Sequence, residues 1–177
     1  MIRHFYFFIA IFLLNFLRAE TWDAQDGNWF EAVNWSLDIV PNSANAIAVF
    51  ANGITAPRSF TVNGTVELAD IEINSQQAYT FDGNATIRLN NGIAVSDSHG
   101  SGAHKILVPI ELLSDTTIHV NSTGNLELQG AVIGAGQLIK KGSDSLILNG
   151  NNRYAGGTKI AGGRIRIDYI NSLPAAG

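Results

Sequence analysis

The sequence predicts an all-β chain wound as a parallel β-solenoid with about 20 residues per coil, and three observations carry that prediction. Apolar residues recur in pairs two apart, at Val66/Leu68, Ile87/Leu89, Ile106/Val108, Leu126/Leu128, Leu146/Leu148 and Ile165/Ile167. Successive pairs lie 21, 19, 20, 20 and 19 residues apart, a regularity foreign to the variable strands and loops of a sandwich. Alternation from Leu138 to Ile160 places inward-type or turn-type residues at Leu138, Leu146, Leu148, Gly150, Asn152, Tyr154, Gly156, Thr158 and Ile160, the period of a strand with one buried and one wet face. Composition agrees: 18 glycines suit many tight corners, and a 46% hydrophobic content is too high for a disordered chain.

Stacking explains why such a pattern would be stable. Each coil lies roughly 4.8 Å above the last, so isoleucine and leucine form internal ladders and corner asparagines form amide ladders. Six coils give a rod on the order of 30 Å long. A second apolar series runs between the first: Ile71/Ile73, Ile93/Val95, Ile118/Val120, Leu138 and Ile160. Its one long step contains residues 96–104, SDSHGSGAH, read as a polar insertion that a solenoid extrudes as a loop. Side-chain parity changes between Ile160 and Ile165, so Ala161-Gly162-Gly163 is expected to hold a turn or bulge.

In chain order, residues 1–19 read as a secretory signal. Arg3 and His4 precede a 13-residue apolar run, Phe5 to Leu17, broken only by Asn15. That length suits a signal and is short for a bilayer span. Cleavage is expected after Ala19, leaving no membrane span in the mature chain. Residues 20–60 form a capping region with all three tryptophans, Trp22, Trp29 and Trp35. Their two readings are a plug for the open end of the sheet stack, which is favoured, and a flat platform for sugar rings. Residues 61–177 form the solenoid, with the clearest repeat at 136–167. Nothing after it reads as a cap for the C-terminal end, and a bare sheet edge recruits other chains.

Charge and chemistry narrow the function. There are no cysteines, which removes disulfides and thiolate sites. The net charge of −4 argues against nucleic acid as a partner. Charge is uneven: residues 128–177 hold Lys140, Lys141, Arg153, Lys159, Arg164 and Arg166 against Asp144 and Asp168. His99 and His104, with Asp97, Ser98 or Ser101, match neither zinc nor nucleophile spacing and read as loop filler. Asp23, Asp26 and Asn28 lack the closing glutamate of a calcium loop, since the twelfth position is Asn34, and read as a turn. Glu67, Asp70 and Glu72 form an acidic cluster across a predicted strand pair; such carboxylates serve glycoside hydrolysis, but alternation with Val66 and Leu68 turns Glu67 outward. Lys140 and Lys141 are expected at a corner. No catalytic residue, metal site or cofactor is expected.

Residues 136–163 carry a recognisable motif: Gly136, Leu138, Lys140, Gly142, Leu146, Leu148, Gly150, Asn152, Tyr154, Gly156, Gly157, Thr158, Ile160 and Gly163. It resembles the autotransporter-associated β-strand repeat of bacterial surface proteins. Thr21 to Asp23, Asn34-Trp35 and Val40 to Asn42 are similar to the opening of such proteins. The chain departs from the pattern at Asp144, where the family has glycine, and strain is expected there because aspartate tolerates positive φ less well. The resemblance implies a right-handed parallel β-helix displayed outside a Gram-negative cell. Autotransporters usually add a C-terminal membrane barrel, and the alternating strands of one are not found here.

The functional expectation is therefore a secreted or surface-displayed solenoid with a structural or adhesive role. Its partners are a host surface or glycan, or neighbouring solenoid segments at the uncapped C-terminal end. The alternatives are a polysaccharide-binding or polysaccharide-cleaving β-helix protein, and an N-terminal fragment of a larger autotransporter.

Overall fold

The structure is a computed structural model that describes residues 17–96, 103–121, 125–169 and 172–174. In chain order its strands begin with β1 (Arg18–Thr21), β2 (Gly27–Asn28), β3 (Ala46–Phe50), β4 (Arg58–Val62), β5 (Val66–Ile73) and β6 (Tyr79–Gly83). They continue with β7 (Ile87–Val95), β8 (His104–Ile106), β9 (Ile110–Leu112), β10 (Thr116–Val120), β11 (Leu126–Leu128) and β12 (Val132–Gly134). The last are β13 (Leu138–Lys141), β14 (Ser145–Leu148), β15 (Arg153–Tyr154), β16 (Thr158–Ile160) and β17 (Arg164–Ile167). Two short 3₁₀ turns, Ala32–Asn34 and Ser36–Asp38, are the helical elements among the described residues.

Every ladder between these strands is parallel, and each strand pairs with its equivalent one coil away. One sheet runs β2-β4-β6-β8-β11-β14-β17. The other runs β1-β3-β5-β7 and then divides, because β5 and β7 are long enough to turn a corner. The first half of β7 pairs with β9 and the second half with β10. From there β9-β12-β15 and β10-β13-β16 form separate faces, so the later coils are three-sided. At the corner Leu68 sits opposite Leu89 while Asp70 sits opposite Gly92. The extra residue on β7 is a bulge, and it bends the strand. The chain is a parallel β-solenoid of about 5 turns with ~22 residues per coil, slightly longer in the coil than the apolar pairs indicate.

The register corrects the first apolar series. Val66/Leu68 does stack on Ile87/Leu89, but the next rung is Ile110/Leu112. Ile106 belongs to the opposite sheet, between Phe81 and Leu128. All faces alternate with period 2, so inward pairs two apart occur on each of them, and the distance from one face to the next can mimic a coil. The second series slips by two at its end: Ile71, Ile93 and Ile118 stack in turn, and the residue above Ile118 is Lys140, not Leu138. The expected turn at Ala161-Gly162-Gly163 is present, and it carries the chain from β16 to β17 in the other sheet.

The core follows from these ladders. Phe81, Ile106, Leu128 and Leu148 form one buried column. Near the first coil the filling is aromatic: Phe50 stacks on Phe60 at 5.0 Å and 9°, and Phe60 meets Phe81 at 4.6 Å. All three tryptophans are buried against this group, with Trp22 4.7 Å from Phe60 and Trp29 4.8 Å from Trp35. Trp29 Nε1 donates to the Pro41 carbonyl at 3.0 Å and Trp35 Nε1 to the Trp29 carbonyl at 2.7 Å. Their faces are therefore interior surface and offer no platform for sugar rings.

Candidate functional site

The repeat motif is where chemistry concentrates, and most of it is turned inward. Lys140 is a β13 residue on the core side, 0% exposed, where a corner position was expected. Its ammonium donates to the carbonyls of Lys141, Gly142 (3.2 Å) and Gly162 (3.3 Å). The first two belong to its own coil and the third to the next, so one cation ties two coils together. Burial pushes its pKa below the ordinary lysine value, and Asp144 opposes that shift. A buried ammonium persists only when its donors are satisfied; here the turn carbonyls do so.

Asn152 spans three coils. Its Oδ1 accepts from Val132 N–H at 2.7 Å and its Nδ2 donates to the Ser172 carbonyl at 2.6 Å, each partner 20 residues away. Tyr154 is buried, with its hydroxyl 2.5 Å from Thr158 Oγ1; burial raises its pKa and Thr158 opposes the rise. Leu138, Leu146 and Leu148 are core residues. The glycines allow the coils to close. Gly142 has φ +83, and a Cβ there would sit 2.2 Å from the Val120 carbonyl oxygen. The strain expected at Asp144 is not present: among the described residues positive φ outside glycine is found at Leu37 and Asp38, and Asp144 is not one of them. The remaining glycines, Gly136, Gly150, Gly156, Gly157 and Gly163, lie at corners between strands. Ile160, above Lys140, is exposed.

His104 is not loop filler but a core residue of β8. Its Nδ1 accepts from Tyr79 N–H at 3.2 Å, and its neighbour in the next coil is Leu126. Burial pushes its pKa down to about 4, against the opposing Ser75 backbone. Asp97, Ser98, His99 and Ser101 lie outside the described residues. Among the described residues no group of three or more His, Cys, Asp and Glu side chains gathers to hold a metal.

The acidic cluster is one strand, β5, with its carboxylates outward. Arg88 lies between Glu67 (3.4 Å) and Glu111 (2.9 Å), carboxylates of the coils on either side of it. Asp70 accepts both bonds from Asn91 Nδ2, at 2.8 and 2.9 Å. The calcium-like loop fastens coils too: Asp26 accepts from Ser59 N–H at 3.0 Å and pairs with Arg58 at 3.5 Å. Ala19 is inside β1, paired with Ile47. Cleavage after it would leave Glu20 and Thr21 as the remnant of that strand, while residues 1–16 of the expected signal lie outside the described residues.

Comparison with known proteins places the motif. Residues 138–167 match the passenger-associated-transport-repeat family model. Over 153 residues, 86% of this chain, the sequence is 40% identical to the adhesin BmaC autotransporter of Brucella suis biovar 1 (strain 1330). The chain is an autotransporter passenger repeat protein. It is also 26% identical to the probable autotransporter YfaL of Escherichia coli (strain K12) over 138 residues, 73% of this chain. This passenger segment spans 4% of BmaC and 10% of YfaL. No solved structure matches it. Among its described residues no helix is long and apolar enough to cross a membrane.

Proposed function

We propose that this passenger segment is a secreted or surface-displayed structural or adhesive rod without catalytic chemistry of its own. In this reading residues 1–19 direct export, residues 20–60 cap the first coil, and the solenoid continues into neighbouring coils at its C-terminal end. The observation that carries it is the use of the repeat's polar residues: Lys140, Asn152 and Tyr154 are buried and bonded to backbone or hydroxyl partners. A site for turnover would instead gather such groups in a cleft. The adhesive element is supported by the word adhesin in the name of BmaC.

The polysaccharide alternative has less support than the structural one: the tryptophans are interior, and of the acidic cluster Glu67 and Asp70 are bonded to Arg88 and Asn91 while Glu72 points to solvent. Beads coated with the folded chain, counted on host-cell monolayers against beads coated with heat-unfolded chain, test adhesion. Preferential attachment of the folded form is expected. Equal attachment removes the adhesive role, and release of reducing sugar from any polymer in a parallel assay removes the non-catalytic one.

A further inference from the structure

Midway along the rod, one stretch of its outward face is left unfilled. At the start of β5 and β7, Glu67, Arg88 and Glu111 meet across three coils and close the surface. Past the bulge on the same strands the register sets Asp70, Gly92 and Thr117 side by side, then Glu72, Ala94 and His119, with Lys141 beyond His119. Gly92 and Ala94 have almost no side chain, so the middle strand becomes a floor between two walls. The walls stand two strand spacings apart, about 9.6 Å between their Cα columns. The result is a cleft of about 190 Å³ whose lining includes Asp70, Asn91, Gly92, Ala94, Thr117 and His119.

The cleft is shaped by its backbone and polar on both sides. A Cβ at Gly92 would lie 2.3 Å from the Thr117 carbonyl oxygen, so no side chain fills the gap there; the same point is 3.5 Å from Asp70 Oδ1, so that carboxylate leans over the floor. Asn91 Nδ2 donates to both Asp70 oxygens and holds them in place. A carboxylate has about four lone-pair sites, so Asp70 keeps acceptors for a ligand. The walls differ in charge. β5 presents Asp70 and Glu72, and the opposite wall presents the Thr117 hydroxyl and the His119 ring with Lys141 behind it. A complementary ligand brings hydroxyl donors to the first wall and an anion to the second. Drug-sized ligands occupy roughly 300 Å³ or more, so this smaller space suits a single sugar ring.

We propose that this cleft binds a sugar residue that carries a carboxylate. Its hydroxyls donate to Asp70, its carboxylate lies toward His119 and Lys141, and no bond is cleaved. The inference rests on the adhesive reading of the rod and adds a ligand class and a place for it; it uses neither the tryptophans nor Glu67. A neutral sugar would leave the His119 and Lys141 wall without an anion, and an amino sugar would set its ammonium against Lys141.

Ligand-observed NMR titration of the whole chain with glucuronate, glucose and glucosamine tests this. Glucuronate binds saturably and roughly tenfold more tightly than either other sugar, the size of one charge-assisted hydrogen bond. Ala94→Leu fills the floor from the outward face and abolishes binding, and Asp70→Asn weakens it roughly tenfold. The comparison of sugars on the unmodified chain needs no variant, so a folding defect in either one leaves the test intact. Equal binding of glucose overturns the recognition of a carboxylate. Preference for glucosamine makes the cleft a cation site and overturns the proposal, as does glucuronate binding that survives Ala94→Leu in a folded chain. No binding of any sugar overturns the cleft while bead attachment still decides adhesion. Soluble glucuronate that blocks bead attachment identifies a surface glycan as the source of the ligand; glucuronate that binds without blocking keeps the cleft and overturns its use in adhesion.

Discussion

Acid should weaken this solenoid through His104. The ring is neutral in the folded chain, with its pKa pushed from 6.5 to about 4 by burial, while an unfolded chain takes up the proton near 6.5. Between those values the unfolded state binds more protons, so stability is complete above pH 6.5, declines as pH falls, and levels off below about 4. At about 1.4 kcal/mol per pKa unit, the loss across that window is about 3 kcal/mol. Tyr79, whose backbone N–H meets His104, has its own pKa raised to about 12 by burial and stays protonated throughout. Urea unfolding at pH 7, 6, 5 and 4 reads the slope. Carboxylates add a slope of their own at the acid end, so the same series is run on His104→Asn, whose side-chain oxygen can still accept from Tyr79 N–H but does not titrate. The difference between the two series should reach about 3 kcal/mol. Parallel slopes in the two proteins would refute the buried neutral histidine.

Three substitutions probe the interior bonds. Lys140→Met keeps the length of the side chain but leaves three turn carbonyls without a donor; a loss of about 2–4 kcal/mol is expected in urea unfolding, and a gain would mean that burying the ammonium outweighs its bonds. Asn152→Ala orphans Val132 N–H and the Ser172 carbonyl, for an expected loss of about 2–4 kcal/mol by the same measurement. Trp22 Nε1 is buried without an acceptor, so Trp22→Phe removes an unsatisfied donor along with some packing and should shift stability by less than about 1.5 kcal/mol.

What could be read in the sequence was what alternation and turn chemistry encode. Period 2 marks a strand, and glycine-rich runs mark corners, so the all-β solenoid and the turn at residues 161–163 were visible. Register was not, because Ile87 and Ile106 look alike in sequence while facing different partners. Lys140 was missed for a physical reason: lysine is almost always solvated, and its burial here depends on carbonyls from Gly142 and Gly162 that only the fold assembles. The signal available was its place in the alternation, two residues after the buried Leu138. His104 was hidden by the polar run before it, although Ile106 two residues on shares its face. For the tryptophans the buried reading was favoured from sequence, but their stacking partners Phe50 and Phe60, brought in by later strands, were not visible there.

In-register stacking of coils is the basis of everything above, and a disulfide can measure it directly because the chain has no cysteine of its own. The structure pairs Thr117 with Ile139, whereas the apolar series that stacks Leu138 on Ile118 would pair Thr117 with Gln137. Adjacent parallel strands bring paired Cα atoms to about 4.8 Å, within disulfide reach, and a slip of two residues puts them roughly 8 Å apart, beyond it. Under mild oxidation T117C/I139C should close to a monomeric disulfide seen on non-reducing gels, and T117C/Q137C should stay reduced. Closure of T117C/Q137C with T117C/I139C left open would contradict the register, and with it the bridging roles of Lys140 and Asn152.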